Sequence, residues 1–170
     1  MRRDATNNSE SGFTLIEVVV AMLVLTIGLV GVVTAITYAV AANNMSRNVT
    51  KAKQMIVSAL EQTESLRNSG QWNYDQICNC STTGCIGYPS DFRSVPNTPG
   101  TDGIFGTADD PSDGANPGFT RQILVTLLDS TNPNLKKVQV TVQYPGINGS
   151  TLTLVGYGYI NNDRRSNYLH

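Results

Sequence analysis

Histidine and tryptophan are nearly absent from this chain of 170 residues, which has one of each. With His170 as the only histidine, no Ser-His-Asp set and no histidine-based metal motif on a helix can be proposed. A glycine-rich phosphate loop is missing as well. Carboxylate pairs occur only in a Gly-rich stretch, where turn formation explains them better than acid-base catalysis. The sequence therefore predicts a protein that is not an enzyme.

Basic residues are also few, twelve against thirteen acidic residues, for a net charge of -1. A nucleic-acid-binding domain concentrates Lys and Arg on one face. Here they are scattered, and the isolated pairs Lys136-Lys137 and Arg164-Arg165 are interpreted as solvated surface. Nothing in the charge pattern indicates a nucleic-acid partner.

Charge is missing from a long apolar segment, with one exception. From Phe13 to Ala42 the only ionisable side chain is Glu17, and residues 18–42 are almost uniformly apolar. At about 1.5 Å per residue, a helix of this length spans a bilayer core of roughly 30 Å. An acid inside a membrane helix is costly and is functional by default, although at the bilayer edge it can instead snorkel towards water. The glycines Gly28 and Gly31 favour either a bend or close helix packing.

The residues before this segment indicate its orientation. Arg2 and Arg3 favour a cytoplasmic amino terminus, because Asp4 and Glu10 count for little in the orientation rule. The remainder of the chain is then outside the cytoplasm. A cleaved secretory signal is less favoured: residues 39–41 could pass for its cleavage site, but the apolar run before them is too long.

After Ala42 the pattern becomes periodic, which predicts that the helix continues as an amphipathic half-helix over residues 43–69. Its apolar face is predicted to be Met45, Val49, Ala52, Ile56, Ala59, Thr63 and Leu66. This face needs a partner to bury it.

The rest of the chain predicts a loop region and then a sheet. Residues 70–118 are rich in Gly, Pro, Asn, Asp and Ser, which indicates a variable loop region with little regular structure. Residues 119–162 predict an antiparallel meander with strands at 121–128, 138–144 and 151–160, followed by a polar tail at 163–170. The fold class is α+β: one long helix, transmembrane in its first half, packed through its second half on a small sheet.

The hexapeptide Gly12-Phe13-Thr14-Leu15-Ile16-Glu17, a polar leader at 1–12 and the apolar helix at 13–42 together resemble the class III signal of type IV pilins and type II secretion pseudopilins. In that family prepilin peptidase cuts after the glycine and methylates the new amino terminus. The resemblance implies cleavage between Gly12 and Phe13, N-methylation of Phe13, and an assembly role for Glu17. The stretches 27–31 and 59–67 are similar to minor pilins.

The chemistry of the signal also follows from the residues. Gly12 lets a protease approach the backbone closely. Cleavage leaves an amine at Phe13, at the positive end of the helix dipole, so an anion is favoured there. Glu17, four residues on, can pair with the amine of its own chain or of a neighbouring subunit. In hydrocarbon either pairing matters more than at a water surface, because the alternative is an unpaired buried charge.

Three cysteines, Cys78, Cys80 and Cys85, lie close together in the loop region. In an exported domain they favour a disulfide, with Cys78 or Cys80 bridging to Cys85, and the sequence does not decide which. Zinc is disfavoured because a fourth ligand and the usual spacing are lacking.

A Gly-rich stretch at 101–114 contains Asp102, Asp109, Asp110 and Asp113. Such oxygen-rich turns suit calcium, and the stretch resembles calcium loops of some pseudopilins, but it is not an EF-hand. The alternative is a solvated acidic turn.

These features predict a minor subunit of a type IV pilus, whose partners are prepilin peptidase, other pilin or pseudopilin subunits and the inner membrane. It would be a single-pass protein with its carboxyl terminus in the periplasm, and later part of the pilus. The alternatives are a type II secretion pseudopilin and, in a different class, a membrane-anchored periplasmic binding domain. The mature amino terminus discriminates between them: methylated Phe13 for a pilin, Met1 for an anchor, Ala42 for a secreted protein.

Overall fold

The computed structural model describes residues 12–80, 87–111, 116–129 and 131–162. The chain divides into two compact units, Met1–Asn43 and Asn44–His170. A single helix, α1, runs from Leu15 to Asn68, so it begins in the first unit and ends in the second. The predicted α+β class, with one long amino-terminal helix and a small antiparallel sheet, is confirmed.

In the first unit, α1 is apolar on every side and its apolar side chains are exposed. A helix of this kind suits an apolar solvent rather than water. By length and composition, α1 is the one helix among the described residues that is long and apolar enough to cross a membrane.

The second unit contains a four-stranded antiparallel sheet in the order β3-β4-β5-β6. Its strands are β3 (Arg93–Ser94), β4 (Thr120–Asp129), β5 (Asn132–Pro145) and β6 (Thr151–Asn161). The predicted three-stranded meander is therefore β4-β5-β6, and β3 adds a short edge strand. Period-2 patterning could not have indicated β3, because it is only two residues long.

Two more short strands lie in the loop region. β1 (Asn79–Cys80) pairs in parallel with β2 (Tyr88–Pro89), and a 3-10 helix at Tyr74–Gln76 precedes them. A second 3-10 helix, Ile147–Gly149, connects β5 to β6. Where residues 70–118 are described, at 70–80, 87–111 and 116–118, they thus hold only short regular elements.

The second half of α1 packs closely on β6 because two glycines face it. A Cβ atom added at Gly156 would overlap Cγ2 of Ile56, and one added at Gly158 would lie 2.9 Å from Cδ2 of Leu60. Side chains on β6 alternate between a half-buried and an exposed face, so both glycines belong to the face that meets the helix. The missing side chains let the helix backbone approach the sheet.

The buried face of α1 largely follows its predicted periodicity. Its buried residues are Ala52, Met55, Ile56, Ala59, Thr63 and Leu66, and Val49 is partly buried against the same core. The prediction was wrong for Met45, which is 36% exposed, and it omitted Met55, which is buried. The buried core therefore begins at Val49 and Ala52, later along the helix than the apolar periodicity does.

Hydrogen bonds from polar side chains hold the loop region against the sheet. Asn79 donates to the carbonyls of Tyr88 (3.1 Å) and Ile123 (2.7 Å) and accepts from the N–H of Val125 (2.6 Å). It therefore satisfies backbone groups on the edge of β4 that β3 is too short to reach.

Lys136 is a second residue that holds the loop region in place. Its interpretation as solvated surface was therefore wrong. Its Nζ donates to the carbonyls of Tyr74 (2.7 Å) and Ile77 (2.9 Å) and lies 4.3 Å from the centre of the Tyr74 ring. Burial lowers the pKa of this ammonium group. Lys136 thus holds the segment that carries the 3-10 helix against β5.

Candidate functional site

The bond between Gly12 and Phe13 lies just before the first turn of α1. Residues 12–14 are not helical, and the helix begins at Leu15. Phe13 is 82% exposed, and a Cβ added at Gly12 would meet nothing within 4 Å. No packing within the described chain therefore requires glycine here.

Glu17 lies in the first turn of α1, where the backbone is held by Thr14. The N–H groups of Glu17 (3.1 Å) and Val18 (3.3 Å) both donate to the Thr14 carbonyl. Thr14 and Glu17 also have the Thr-x-x-Glu spacing of a capping box, a local signal for the start of a helix. Within the described residues, however, neither side chain makes the reciprocal hydrogen bonds of that motif. The Glu17 carboxylate thus remains available to a partner at the positive end of the helix dipole.

The threonine hydroxyl groups in the apolar part of α1 are satisfied within the helix. Oγ1 of Thr26 donates to the carbonyls of Met22 (3.0 Å) and Leu23 (2.8 Å), Oγ1 of Thr34 to Val30 (2.8 Å), and Oγ1 of Thr37 to Val33 (2.8 Å). Such bonds to the preceding turn let threonine enter a membrane helix at little cost. Glu17 differs from these threonines because its carboxylate has no hydrogen-bond or ion-pair partner among the described residues.

The cysteine cluster is described in part. Cys78 immediately precedes β1, and Cys80 is the last residue of that strand. Cys85 lies outside the described residues. The chain returns to this point at Gly87, where a Cβ would lie 2.5 Å from the Cys78 carbonyl oxygen and 3.1 Å from Sγ of Cys80. Gly87 thus allows a close return of the chain beside Cys80. The disulfide with Cys85 stays a prediction.

In the Gly-rich stretch at 101–114, called the acidic stretch below, the described carboxylates accept hydrogen bonds from neighbouring loop residues. Asp109 accepts from the hydroxyls of Thr107 and Thr101, both at 2.8 Å, and from the N–H of Asp102 at 3.1 Å. The hydrogen bonds from Thr107 and then Thr101 lower the pKa of Asp109 from 3.8 to about 2. Asp109 therefore ties two ends of a tight loop together.

Asp110 and Asp102 have similar roles. Asp110 accepts from the N–H of Gly100 (2.9 Å) and of Gly106, and Asp102 accepts from the N–H of Ile104 (2.8 Å). In the part of the chain that the structure describes, no three His, Cys, Asp or Glu side chains are grouped to hold a metal ion. Asp113, the fourth predicted ligand, lies outside that part. Calcium binding stays a prediction, while the hydrogen bonds account for the three described carboxylates without an ion.

Residues 7–33 match the family described as the prokaryotic N-terminal methylation motif. This is the class III signal of type IV pilins and pseudopilins, so the resemblance seen at residues 12–17 is confirmed. No curated protein and no solved structure matches the chain. The chain thus carries the processing signal of a pilin-type or pseudopilin-type precursor, and this signal implies processing by prepilin peptidase.

Proposed function

We propose that this chain is a structural minor subunit of a type IV pilus. Prepilin peptidase cleaves it between Gly12 and Phe13 and methylates Phe13, and the subunit then enters the filament through residues 13–42. The observation that carries the proposal is the methylation motif at residues 7–33, which includes the start of α1, in the part of the helix that is apolar on all sides.

The physical basis of assembly is the exposed apolar surface of the first unit. Large apolar side chains from Phe13 to Val40 are mostly more than half exposed. In the bilayer they contact lipid, and in a filament they contact the corresponding helices of other subunits. Lipid tails and the helices of other subunits are similarly apolar, so exchanging lipid contacts for helix contacts costs little free energy. Side-chain packing and polar contacts then decide whether α1 stays in lipid or enters the filament.

Glu17 supplies the polar contact in this mechanism. After cleavage, the amine of Phe13 and the Glu17 carboxylate form a pair, within one subunit or between neighbours. An unpaired carboxylate in an apolar environment is strongly disfavoured. A subunit in the wrong axial position would leave Glu17 unpaired, so the pair specifies the register between helices.

The second unit would lie in the periplasm and afterwards on the filament, where its role is structural rather than catalytic. A minor pseudopilin of a type II secretion system is the second candidate, because the same signal serves both filaments. Deleting the gene separates the two: loss of pili with normal secretion supports the pilus subunit, and loss of secretion with normal pili supports the pseudopilin.

The direct test is the mass of the mature amino-terminal peptide from native membranes. We expect residues 1–12 to be absent and Phe13 to carry a methyl group. An amino terminus at Met1 would contradict the proposal and support a simple membrane anchor, and one at Ala42 would support a secreted protein. Gly12→Val should block the cleavage, whereas Gly31→Val, which also adds a side chain where nothing lies within 4 Å, should leave cleavage intact.

A further inference from the structure

A cavity of about 290 Å³ lies in the second unit, between the chain around β3, the acidic stretch and β4. Its polar lining includes Arg93, Asp110 and Arg121, and its apolar lining includes Pro89, Phe92 and Ile123. None of these residues belongs to the amino-terminal signal, so the cavity is separate from the assembly site.

Arg121 is the unusual member of this lining. It lies on β4 and is only 8% exposed. Within the described residues its guanidinium group makes no hydrogen bond and no ion pair. Arginine stays protonated at any physiological pH, and burying an unpaired cation is costly. Among the described residues, no nitrogen of Arg121 is both closed off from solvent and unpartnered, so the guanidinium group faces the cavity, where water or a bound molecule must satisfy it.

The neighbouring charges do not contact Arg121. Asp110 is close enough to act electrostatically, but its two carboxylate oxygens accept the N–H groups of Gly100 and Gly106. Gly106 itself leaves room beside Arg121, since a Cβ there would lie 2.8 Å from Nη2. The loop backbone is thus positioned around the guanidinium group without neutralising it.

Arg93 increases the need for an anion. It is directly opposite Arg121 in the β3-β4 register, and both residues line the cavity. Like charges directly opposite each other destabilise a strand pair. Arg93 has partners of its own, since its Nε lies 3.2 Å from Oδ2 of Asp91 and its Nη1 donates to the Ala108 carbonyl at 3.2 Å. Only the Arg121 side of this pair therefore lacks a contact among the described residues.

From these observations we infer that the cavity binds a small organic acid, a carboxylate joined to an apolar or aromatic group. The carboxylate would accept two parallel hydrogen bonds from the planar guanidinium group of Arg121. The apolar part would lie against Phe92, Pro89 and Ile123. The volume is at the lower end of ligand pockets, which are about 300–1,000 Å³, so the ligand is small.

The test is calorimetric titration of the full-length protein in detergent micelles, with 3-phenylpropionate as the probe and its neutral amide, 3-phenylpropanamide, as the matched ligand. Titration into protein-free micelles gives the blank. Because hydrogen bonds to charged groups are the stronger ones, we expect the amide to bind roughly tenfold to hundredfold more weakly than the acid. Arg121→Gln should remove this preference, while Arg47→Gln, the same change at an exposed arginine of α1, should preserve it.

Each contrary result overturns the inference. Equal binding of acid and amide to the unaltered protein would show that Arg121 does not recognise the carboxylate, and this comparison holds even if Arg121→Gln fails to fold. Inorganic phosphate binding as tightly as the acid would show that the apolar wall contributes nothing. Heat no larger than the micelle blank with millimolar acid would show that the cavity is not a site for this class of ligand.

Discussion

At the scale of single residues, the threonines in the apolar part of α1 differ from Glu17 in the same segment. Thr26, Thr34 and Thr37 donate to carbonyls of their own helix, so lipid or a neighbouring helix can cover them at little cost. Glu17 has no such internal partner among the described residues, and hydrogen bonding alone cannot neutralise its charge. The proposed pairing with the Phe13 amine follows from this difference.

Substituting Glu17 tests the pairing. Glu17→Gln keeps the length and hydrogen-bonding capacity of the side chain but removes its charge, so we expect normal cleavage and methylation with most filament incorporation lost. Immunoblots of membrane and sheared-filament fractions measure both steps. Thr34→Val, which removes a hydroxyl that serves only its own helix, should behave like the unaltered protein. Normal incorporation of Glu17→Gln would rule out charge pairing as the basis of register.

Tyr88 offers a residue-scale test of stability. Thr63 Oγ1 donates to the Ala59 carbonyl (2.7 Å), so in its 2.8 Å contact with the Tyr88 hydroxyl it must accept. Because both side chains are buried, Tyr88→Phe should lower the free energy of unfolding by about 1 kcal/mol. Tyr157→Phe is the matched control, since Tyr157 is 54% exposed. Denaturant unfolding measures both variants, and equal losses would contradict a specific role for the Thr63–Tyr88 bond.

At the scale of elements, the contact between α1 and β6 depends on the absence of side chains. Gly156→Ala should cost about 1–3 kcal/mol of unfolding free energy, because the added methyl group overlaps Ile56 and forces the helix from the sheet. Thr153→Ala, on the exposed face of the same strand, should cost far less. Chemical denaturation followed by circular dichroism compares them. A neutral Gly156→Ala would mean that α1 is not seated closely on β6.

The acidic stretch is an element whose stability should depend on pH. The pKa of Asp109 is lowered to about 2 by hydrogen bonds from Thr107 and Thr101, so the folded state favours the ionised carboxylate. Its contribution is complete above pH 3.8 and is lost as the pH falls towards about 2. The difference in melting temperature between the unaltered protein and Asp109→Asn should therefore shrink across this window.

The same pH series tests the cause of the shift. Thr101→Val removes one of the two hydroxyl donors, so the window for this variant should move towards higher pH. A difference between the unaltered protein and Asp109→Asn that stays constant from pH 3.8 to 2 would show that the carboxylate does not hold the loop.

At the scale of the whole molecule, the features that local periodicity encodes could be predicted from sequence. The long helix and strands β4, β5 and β6 followed from periods of 3.6 and 2, and the signal at Gly12 to Glu17 from its residue types. Asn79 and Lys136 could not be assigned in this way, since their hydrogen-bond partners are distant in sequence. Arg121 could not be assigned either, since the residues that line its cavity come from separate segments of the chain. Arg121 occupies a buried, inward-facing position of β4, where the alternation of the strand predicts an apolar residue.

The division of the chain also has a consequence for folding. Every residue of the buried core among the described residues lies at Ala52 or later, and all belong to the second unit. The Nδ2 group of Asn48 donates to the Pro145 carbonyl at 2.9 Å and holds the start of this part of α1. The apolar residues before Asn44 add nothing to that core, because they are exposed.

We therefore expect residues 44–170 to fold without residues 1–43, with a melting temperature within about 5 °C of the full-length protein, since a change of about 1 kcal/mol shifts a small domain by roughly that amount. Thermal circular dichroism of both proteins measures it. A fragment that begins at residue 50 loses the Asn48–Pro145 bond and the packing of Val49, so it should melt at a lower temperature than the 44–170 fragment. An unfolded 44–170 fragment would show that the apolar half of α1 contributes to folding and is not reserved for membrane and filament contacts.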